Sequence, residues 1–365
     1  MPDSPFVADL SSPLVASPRV RELGSGIDTL YWSIKGNLPG AELERLEAHR
    51  AMADREGGAV PFLLGGEEFL IEPFGFMRSY RFHLVHPYGR IGVTPSEKLP
   101  TVYIQPNAEF LHGVGPDACA AWFNAVVASL VPGGVATVSR VDLCMDTQGW
   151  DPTPEMRDLF VTRASHRRVY EDDGKMTALQ FGKRGTGLHC RIYCKSLEVA
   201  AKGSVWWHDL WGDRWVPIQP VWRIEFEVRR EVLAQLGIDT LDELFAKVGG
   251  IWGYLTTWLS LRVPTADETP SRWPVDPVWE AISQASLRSG AAGLVRTYGV
   301  KRQAARRRII VGMRGYISSY GALIDESEID PTAPCLTAVL REWEFESGIP
   351  YRDQVKRKKR RYGLP

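Results

Sequence analysis

Three stretches of the chain alternate strictly between charged or phenolic residues and apolar residues. They are residues 140–146, 189–195 and 223–229. Successive side chains of a β-strand point to opposite faces, so each stretch predicts a strand with one charged face and one apolar face. In the second stretch this places Arg191, Tyr193 and Lys195 together. Strands of this kind are typical of an antiparallel sheet with one buried face and one working face.

The rest of the pattern predicts a mixture of strands and helices up to about residue 240. Strands are expected at 28–35 and in short segments between 60 and 105, and helices at 40–55 and 117–130. A glycine-bearing turn at 184–187 joins two alternating runs and predicts a hairpin. Beyond about residue 240 only helices are predicted, at 240–261, 276–288, 291–324 and 334–347. The fold class is therefore α+β, an antiparallel sheet followed by a helical, basic C-terminal region.

Changes in composition predict where this chain of 365 residues divides. A chain of this length is expected to form two domains. Prolines between 264 and 277 mark the expected boundary region. The predicted parts are a flexible lead-in at 1–25, the domain that carries the chemistry at 26–240, a helical domain at 241–350 and a basic tail at 351–365.

Bulk composition indicates a cytoplasmic protein. The chain has 44% hydrophobic and 24% charged residues, without an apolar run of the roughly 18 to 20 residues that a membrane span needs. The N-terminus lacks the pattern of a secretory signal. Five scattered cysteines, an odd number, favour free thiols in a reducing compartment.

The net charge of zero conceals a basic end. Residues 291–365 contain 15 Lys and Arg against 8 Asp and Glu, which leaves 29 against 36 in the rest. Clustered cations bind polyanions by releasing condensed counterions, so DNA is the expected partner and a merely solvated tail the alternative. The clustered candidates for binding DNA are Lys301, Arg302, Arg306, Arg307, Arg308, Lys356, Arg357, Lys358, Lys359, Arg360 and Arg361.

Tyr193 is the candidate nucleophile. Arg191 and Lys195, expected on the same face, would lower the pKa of its phenol and bind a phosphate beside it. A tyrosine that attacks a DNA phosphodiester keeps the bond energy in a phosphotyrosyl link, which allows later rejoining. A tyrosine that is simply packed on a strand is the alternative.

Four carboxylates form the candidate metal site. Asp142 and Asp146 share a face of one strand, and Glu225 and Glu227 share a face of another. Oxygen ligands of this kind suit Mg²⁺ or Mn²⁺, which would polarise the scissile phosphate. The equally weighted alternative is that the acids form ion pairs across strands. Their partners would be Arg140, Arg191, Arg223 and Arg229.

Four segments resemble the replication initiation factor family (Rep_trans) of rolling-circle plasmids, related filamentous phages and conjugative elements. They are residues 26–31 (GIDTLY), 139–146 (SRVDLCMD), 179–184 (LQFGKR) running into 191–195 (RIYCK), and 222–229 (WRIEFEVR). The resemblance spans roughly residues 26–235. It implies a relaxase-like fold without the paired metal histidines of relaxases.

The resemblance also implies an activity. Such an enzyme binds a plasmid origin, nicks one strand through a tyrosine, stays on the 5′ phosphate and rejoins the ends with the help of a divalent metal. Tyr193 matches the tyrosine of the family, with Tyr170 in reserve, and Asp142, Asp146 and Glu225 match its acidic positions. The DNA is expected to be single-stranded at the nick, a host helicase is a possible partner, and the family suggests a homodimer.

Three other functions stay open at this point. A mobilisation relaxase would use the same chemistry on another DNA site. A DNA-binding replication or transcription regulator would use the charged strands only as ion pairs. A metal-dependent nuclease would use water and leave no covalent adduct. In any of these, Arg140, Lys183 and Arg184 are further candidates for contacting DNA.

Overall fold

The computed structural model describes residues 20–289, 340–341, 344–345, 350–353 and 355–356. The helices predicted at 291–324 and most of that predicted at 334–347 lie outside these residues. So do the basic residues from Lys301 to Arg308 and from Arg357 to Arg361. Of the C-terminal cations expected to bind DNA, the structure therefore describes Lys356.

Thirteen antiparallel strands lie within residues 20–289, the continuous described range. They are β1 (Arg21–Lys35), β2 (Val60–Leu64), β3 (Glu67–Ile71), β4 (Phe82–His86), β5 (Gly89–Val93), β6 (Val102–Pro106), β7 (Val135–Gln148), β8 (Phe160–Thr162), β9 (Arg167–Asp172), β10 (Lys175–Phe181), β11 (Leu188–Cys194), β12 (Trp222–Arg229) and β13 (Leu259–Leu261).

Eleven of these strands form one sheet, in the order β2-β3-β4-β5-β6-β1-β7-β12-β11-β10-β9. Every neighbouring pair in it is antiparallel. Strands β8 and β13 pair separately. The three charged stretches fall on β7, β12 and β11, which are adjacent in the middle of the sheet. The predicted α+β class with an antiparallel sheet is confirmed.

Helices accompany the sheet. They are α1 (Gly40–Glu56), α2 (Ala108–Val114), α3 (Pro116–Val126), α4 (Met156–Leu159), α5 (Lys195–Lys202), α6 (Trp206–Trp211), α7 (Arg230–Gln235), α8 (Leu241–Trp258) and α9 (Pro277–Ser283). Short 3₁₀ turns occupy Gly212–Arg214, Pro270–Arg272 and Ser286–Ser289. The longest of the described helices, α8, begins with a capping box in which Thr240 and Glu243 satisfy each other's backbone N–H groups.

The apolar underside of the sheet is the core. Leu143, Ile192 and Phe226 come from the three charged strands, and each is completely buried. Trp252 of α8 packs edge-on against Phe226, with ring centroids 5.5 Å apart. Because this face is covered by helices, the alternation in β7, β11 and β12 directs the opposite, polar side chains into one shared layer.

Several elements differ from those predicted. The helix predicted at 240–261 ends at Trp258, and Leu259–Leu261 forms strand β13 because it pairs with β8. Strand β11 ends at Cys194, and Lys195 begins helix α5 instead of extending the strand. The Lys195 N–H donates to the carbonyl of Val221 at 2.7 Å, where the chain turns into the helix. Strand β9 was not predicted, since most of its residues are exposed and it lies at the edge of the sheet.

The described residues fall into two compact units: 20–203 with 211–289, and 204–210 with the residues described between 340 and 356. Helices α8 and α9 share the hydrophobic core of the sheet through Trp252 and Ile282. The predicted division of the chain at residue 240 stays a prediction. Strand β1 begins at Arg21, inside the predicted lead-in. Among the described helices, none is long and apolar enough to cross a membrane. The cytoplasmic location stays a prediction.

Candidate active site

The strand register brings the predicted site residues onto one face of the sheet. Tyr193 lies opposite Arg223, and Arg223 in turn lies opposite Asp146. Residues that are directly opposite in an antiparallel ladder point to the same side. The next rows on this face pair Arg191 with Glu225, then His189 with Glu227 and Asp142, and then Arg229 with Arg140. We call this surface the charged face.

Tyr193 is held by a carboxylate on the neighbouring strand. Its hydroxyl donates to Oε2 of Glu225 at 2.9 Å, and Oε2 of Glu198 lies 3.4 Å away. The guanidinium carbon of Arg191 lies 5.4 Å from the centre of the phenol ring, and the Lys195 ammonium lies 5.8 Å from it. Both cations therefore border the ring, and Lys195 reaches it from helix α5 and not from the strand on which it was predicted.

The pKa of Tyr193 is well above its ordinary value. Burial is the largest cause, and the negative charge of Glu225 adds to it, while Arg223 opposes both. The predicted lowering by Arg191 and Lys195 is therefore wrong in this structure. Arg191 is bound to Glu225 and Lys195 to Glu198, so each cation is paired with a carboxylate. At neutral pH the phenol keeps its proton, and an attack by its oxygen needs a base.

Glu198 is a site residue that the sequence did not single out. It binds Lys195 and Lys202 from the same helix, at spacings of three and four residues. Burial would raise its pKa, but the two lysines outweigh this and hold the pKa of Glu198 at about 2. The Lys-x-x-Glu-x-x-x-Lys spacing was the available signal, since such positions are neighbours on a helix. It was missed because Lys195 was assigned to a strand.

A buried ion-pair network lies next to Tyr193. Arg223 is completely buried and donates hydrogen bonds to both carboxylate oxygens of Asp146, at 2.6 and 2.7 Å. It also donates to Asp28, at 2.5 Å. The indole N–H of Trp211 donates to Asp146 at 2.8 Å. This geometry satisfies a buried guanidinium from two sides, which a buried charge requires.

Asp28 reaches this network because β1 is irregular there. The register between β1 and β7 shifts between Ile27 and Thr29, which makes Asp28 the extra residue of a bulge. Burial alone would raise the pKa of Asp28, but Arg223 and a hydrogen bond with His112 hold it well below its usual range. Burial lowers the pKa of His112, against the opposing effect of Asp28. Neither residue received a role from the sequence, because a bulge leaves no clear pattern in one chain.

The predicted metal carboxylates are engaged by arginines. Arg140 binds Asp142 through two hydrogen bonds of 2.8 and 2.5 Å and also lies 3.0 Å from Glu227. Arg229 binds Glu227 at 2.5 Å. The pairs Arg140–Glu227, Arg191–Glu225 and Arg223–Asp146 cross between strands, as in the alternative in which the acids neutralise arginines. The other two pairs, Arg140–Asp142 and Arg229–Glu227, each join residues two apart on one strand.

The carboxylates that a metal ion would need are thus already paired with arginines. Among the described residues, no group of three or more His, Cys, Asp or Glu side chains is placed to hold one. Burial, together with Glu225 and Glu227, raises the pKa of Asp142 to about 7 against the hydrogen bond from Arg140. As placed, the four carboxylates do not fit Mg²⁺ or Mn²⁺, and the metal stays a prediction from the sequence.

The other predicted residues that the structure describes are exposed. Tyr170, on β9, is 42% exposed and donates to Gln180 at 2.6 Å. Ala178 lies between Tyr170 and Tyr193 in the same row. Lys183 and Arg184 are exposed in the turn between β10 and β11. Lys356 is 65% exposed and lies 3.9 Å from Asp353.

Comparison with known proteins gives a distant likeness. No family model matches the sequence. The "Uncharacterized protein ORF430" of Pseudomonas phage Pf1 is 23% identical over 188 residues, which are 42% of this chain and 43% of that protein. The match thus spans less than half of that relative. A solved structure, the rolling circle replication initiator protein from Geobacillus stearothermophilus, aligns with a TM-score of 0.43 and 15% identity, over 73% of this chain and 97% of that one.

Proposed function

We propose that this protein is a DNA nicking-joining enzyme that initiates rolling-circle replication. The observation that carries the proposal is the hydrogen bond of 2.9 Å from the Tyr193 hydroxyl to the Glu225 carboxylate, beside two cations. A nucleophile within hydrogen-bonding distance of a base, with positive groups next to it, is the arrangement that phosphodiester attack needs. The resemblance of residues 26–235 to replication initiators is the reason for proposing DNA as the substrate.

In the proposed step the Tyr193 oxygen attacks the phosphorus of one phosphodiester while its proton passes to Glu225. A bond forms between the phenol oxygen and phosphorus, and the bond between phosphorus and the 3′ oxygen breaks. The leaving oxygen takes a proton from solvent water and becomes a 3′-hydroxyl. The 5′ phosphate stays on Tyr193 until a 3′-hydroxyl attacks it, which reverses the step and rejoins the strand.

In this proposal Arg191 and Lys195 bind the phosphate that Tyr193 attacks. Their present partners are the carboxylates of Glu225 and Glu198. When Glu225 accepts the phenol proton it loses its charge, and Arg191 is then released to pair with the phosphate oxygens. Guanidinium binds such oxygens through two parallel hydrogen bonds, which fixes the phosphate as well as neutralising it.

A second candidate is favoured by the ion pairs themselves. If the carboxylates only neutralise arginines, the charged face is a structural element of a DNA-binding regulator. A mobilisation relaxase remains a closer variant of the first proposal, since it differs in the DNA site. A host helicase and a homodimer stay predictions from the family resemblance.

Labelled DNA separates these candidates. The full chain is incubated with single-stranded oligonucleotides that tile the replicon encoding it, each labelled at the 3′ end, with Mg²⁺, Mn²⁺ or a chelator. Denaturing electrophoresis then shows whether label travels with the protein. Tyr193→Phe is run in parallel, with Tyr170→Phe as the matched control.

Each outcome has one meaning. Label linked to the wild type and to Tyr170→Phe, but not to Tyr193→Phe, supports the nicking enzyme. Cleavage without linkage indicates a nuclease that uses water, and binding without cleavage indicates the regulator. DNA linked to the protein in the presence of the chelator would show that the reaction needs no metal. DNA linked only in the reactions with Mg²⁺ or Mn²⁺ would show that it needs one.

A further inference from the structure

A groove of about 630 Å³ opens on the charged face, away from Tyr193. Tyr31 of β1, Tyr103 of β6 and Arg140 of β7 line it, and so do Arg229 at the end of β12 and the turn at 185–187. We call it the tyrosine groove. Its volume lies within the range of about 300 to 1,000 Å³ that is usual for pockets binding small organic groups.

Aromatic rings form one part of this groove. Tyr31 and Tyr103 are half-buried, with ring centroids 6.3 Å apart, and Tyr80 extends the row at 5.6 Å from Tyr103. The guanidinium of Arg140 lies 5.3 Å from the centre of the Tyr31 ring. Burial raises the pKa of both Tyr31 and Tyr103, so their phenols are neutral and do not repel an anion. Neutral rings beside arginine can stack with nucleic-acid bases.

Cations form the other part. Arg140, Arg229 and Arg230 line the groove together with one acid, Glu231. The carboxylates that pair with Arg140 and Arg229, those of Asp142 and Glu227, are buried and do not line it. Arg229 donates its Nε to Glu227, and within the described residues its terminal amino groups make no hydrogen bond. The guanidinium of Arg229 is thus oriented by one contact, while its other donors can take phosphate oxygens.

The groove also lies in line with the candidate nucleophile. Arg223 is opposite Tyr193, and Arg229 lies six residues further along β12. At about 3.3 Å per residue the separation along the strand is about 20 Å. Backbone hydrogen bonding from Arg229 to Gly187 at 2.9 Å holds the β10–β11 turn, with its exposed Lys183 and Arg184, beside this end.

We infer that the tyrosine groove binds unpaired DNA, stacking bases on Tyr31 and Tyr103 and holding phosphate with Arg140 and Arg229. This rests on the proposed function for the identity of the strand, which would continue to Tyr193. At the B-form spacing of about 3.4 Å per nucleotide, the groove lies no more than about six nucleotides from the cut. Stacking accepts any base, so the groove adds affinity without sequence preference.

Binding of a fluorescein-labelled twelve-residue oligothymidylate, measured by anisotropy in a chelator, tests the inference without strand cleavage. The full chain is compared with Tyr103→Leu, Tyr103→Phe and Tyr88→Leu, the last an exposed tyrosine stacked on Phe110 elsewhere. We expect Tyr103→Leu to bind about tenfold more weakly, because it loses one stacking surface. Tyr103→Phe and Tyr88→Leu should bind as the wild type does.

A second measurement uses only the wild type and so does not depend on whether the variants fold. The wild type is cross-linked by light to an oligonucleotide containing 5-iododeoxyuridine, and the modified peptide is identified by mass spectrometry. Attachment at Tyr31 or Tyr103 supports the groove. Wild-type affinity in a folded Tyr103→Leu protein, or attachment only outside the groove, overturns it.

The two proposals fail separately. If the oligothymidylate binds through the groove but no protein-linked label ever forms, the nicking activity is wrong and the binding site stands. If linkage forms at Tyr193 while Tyr103→Leu binds and nicks normally, the groove is wrong and the activity stands.

Discussion

At the scale of single residues, the alternating pattern predicted the face on which Tyr193 lies but not its partner. Alternation fixes the side of the sheet to which a residue points. It does not fix the rotamer or the register, and the contact with Glu225 depends on both. The direction of the Tyr193 pKa shift was mispredicted for the same reason, since burial and the nearby carboxylate outweigh the cations.

Replacing the proposed base tests the role of Glu225. Glu225→Gln keeps the shape of the side chain but takes no proton, so we expect the nicking rate to fall by about 100-fold or more. The rate of linkage to 3′-labelled DNA is the measurement. Glu171→Gln, an exposed glutamate on β9, is the control and should retain the wild-type rate. An unchanged rate in a folded Glu225→Gln protein would mean that another group accepts the proton.

His189 makes stability depend on pH. Both of its ring nitrogens are buried without a hydrogen-bond partner among the described residues, and burial lowers its pKa to about 4. The unfolded chain takes up a proton near pH 6.5 and the folded chain does not, so stability is lost as the pH falls below 6.5. Between pH 7 and pH 5 this single residue should remove about 1 to 2 kcal/mol.

Urea unfolding at pH 7 and pH 5 measures this loss. His189→Leu should lose less stability than the wild type over that interval, because it has no proton to bind. His166→Leu, at an exposed position, should lose as much as the wild type. Equal losses in all three proteins would show that His189 does not contribute.

At the scale of elements, the sequence predicted β7, β11 and β12 closely, because their alternation is long and unbroken. It did not predict the end of β11 at Cys194 or the bulge at Asp28, since each depends on contacts with residues distant in the chain. The network around Arg223 follows from that bulge. Its members come from separate strands, and no spacing along the chain links them.

Asp28→Asn tests the bulge and its network. Removing one partner of a buried ion pair leaves charge uncompensated, so we expect the free energy of unfolding to fall by about 3 kcal/mol at pH 7. The pKa of Asp28 is depressed in the folded state, so its contribution is lost as the pH falls below about 4. The gap between the variant and the wild type should therefore close in acid.

Urea unfolding curves give this value, and Glu47→Gln is the matched control. Glu47 pairs with Arg81 at 2.8 Å on the surface, where an ion pair is worth well under about 1 kcal/mol. A change in Asp28→Asn as small as in this control would show that the network does not hold the bulge.

At the scale of the whole molecule, the sequence predicted the α+β class with its antiparallel sheet, while the division of the chain into domains stays a prediction. Composition changes near residue 240, whereas the packing of α8 against the sheet keeps the helices up to 283 in the same unit. Packing across such sequence distances has no periodic signal. The basic C-terminal residues remain a prediction from charge alone.

The basic tail should strengthen DNA binding in a salt-dependent way. Changing the six residues 356–361 to glutamine should weaken binding of a DNA duplex. The slope of log K against log salt concentration should become less negative by about 0.9 for each phosphate that the tail no longer neutralises. Fluorescence anisotropy between about 50 and 200 mM salt, the range in which such interactions weaken, is the measurement. An unchanged slope would mean that the tail is merely solvated.

The covalent link itself offers the most direct test of Tyr193 as the nucleophile. Wild-type protein that has reacted with DNA is digested with nuclease and protease, and the peptide that carries the remaining nucleotide is sequenced by mass spectrometry. The account predicts one modified residue, Tyr193, in the peptide that follows Arg191. A nucleotide on Tyr170 or on any other residue would contradict it.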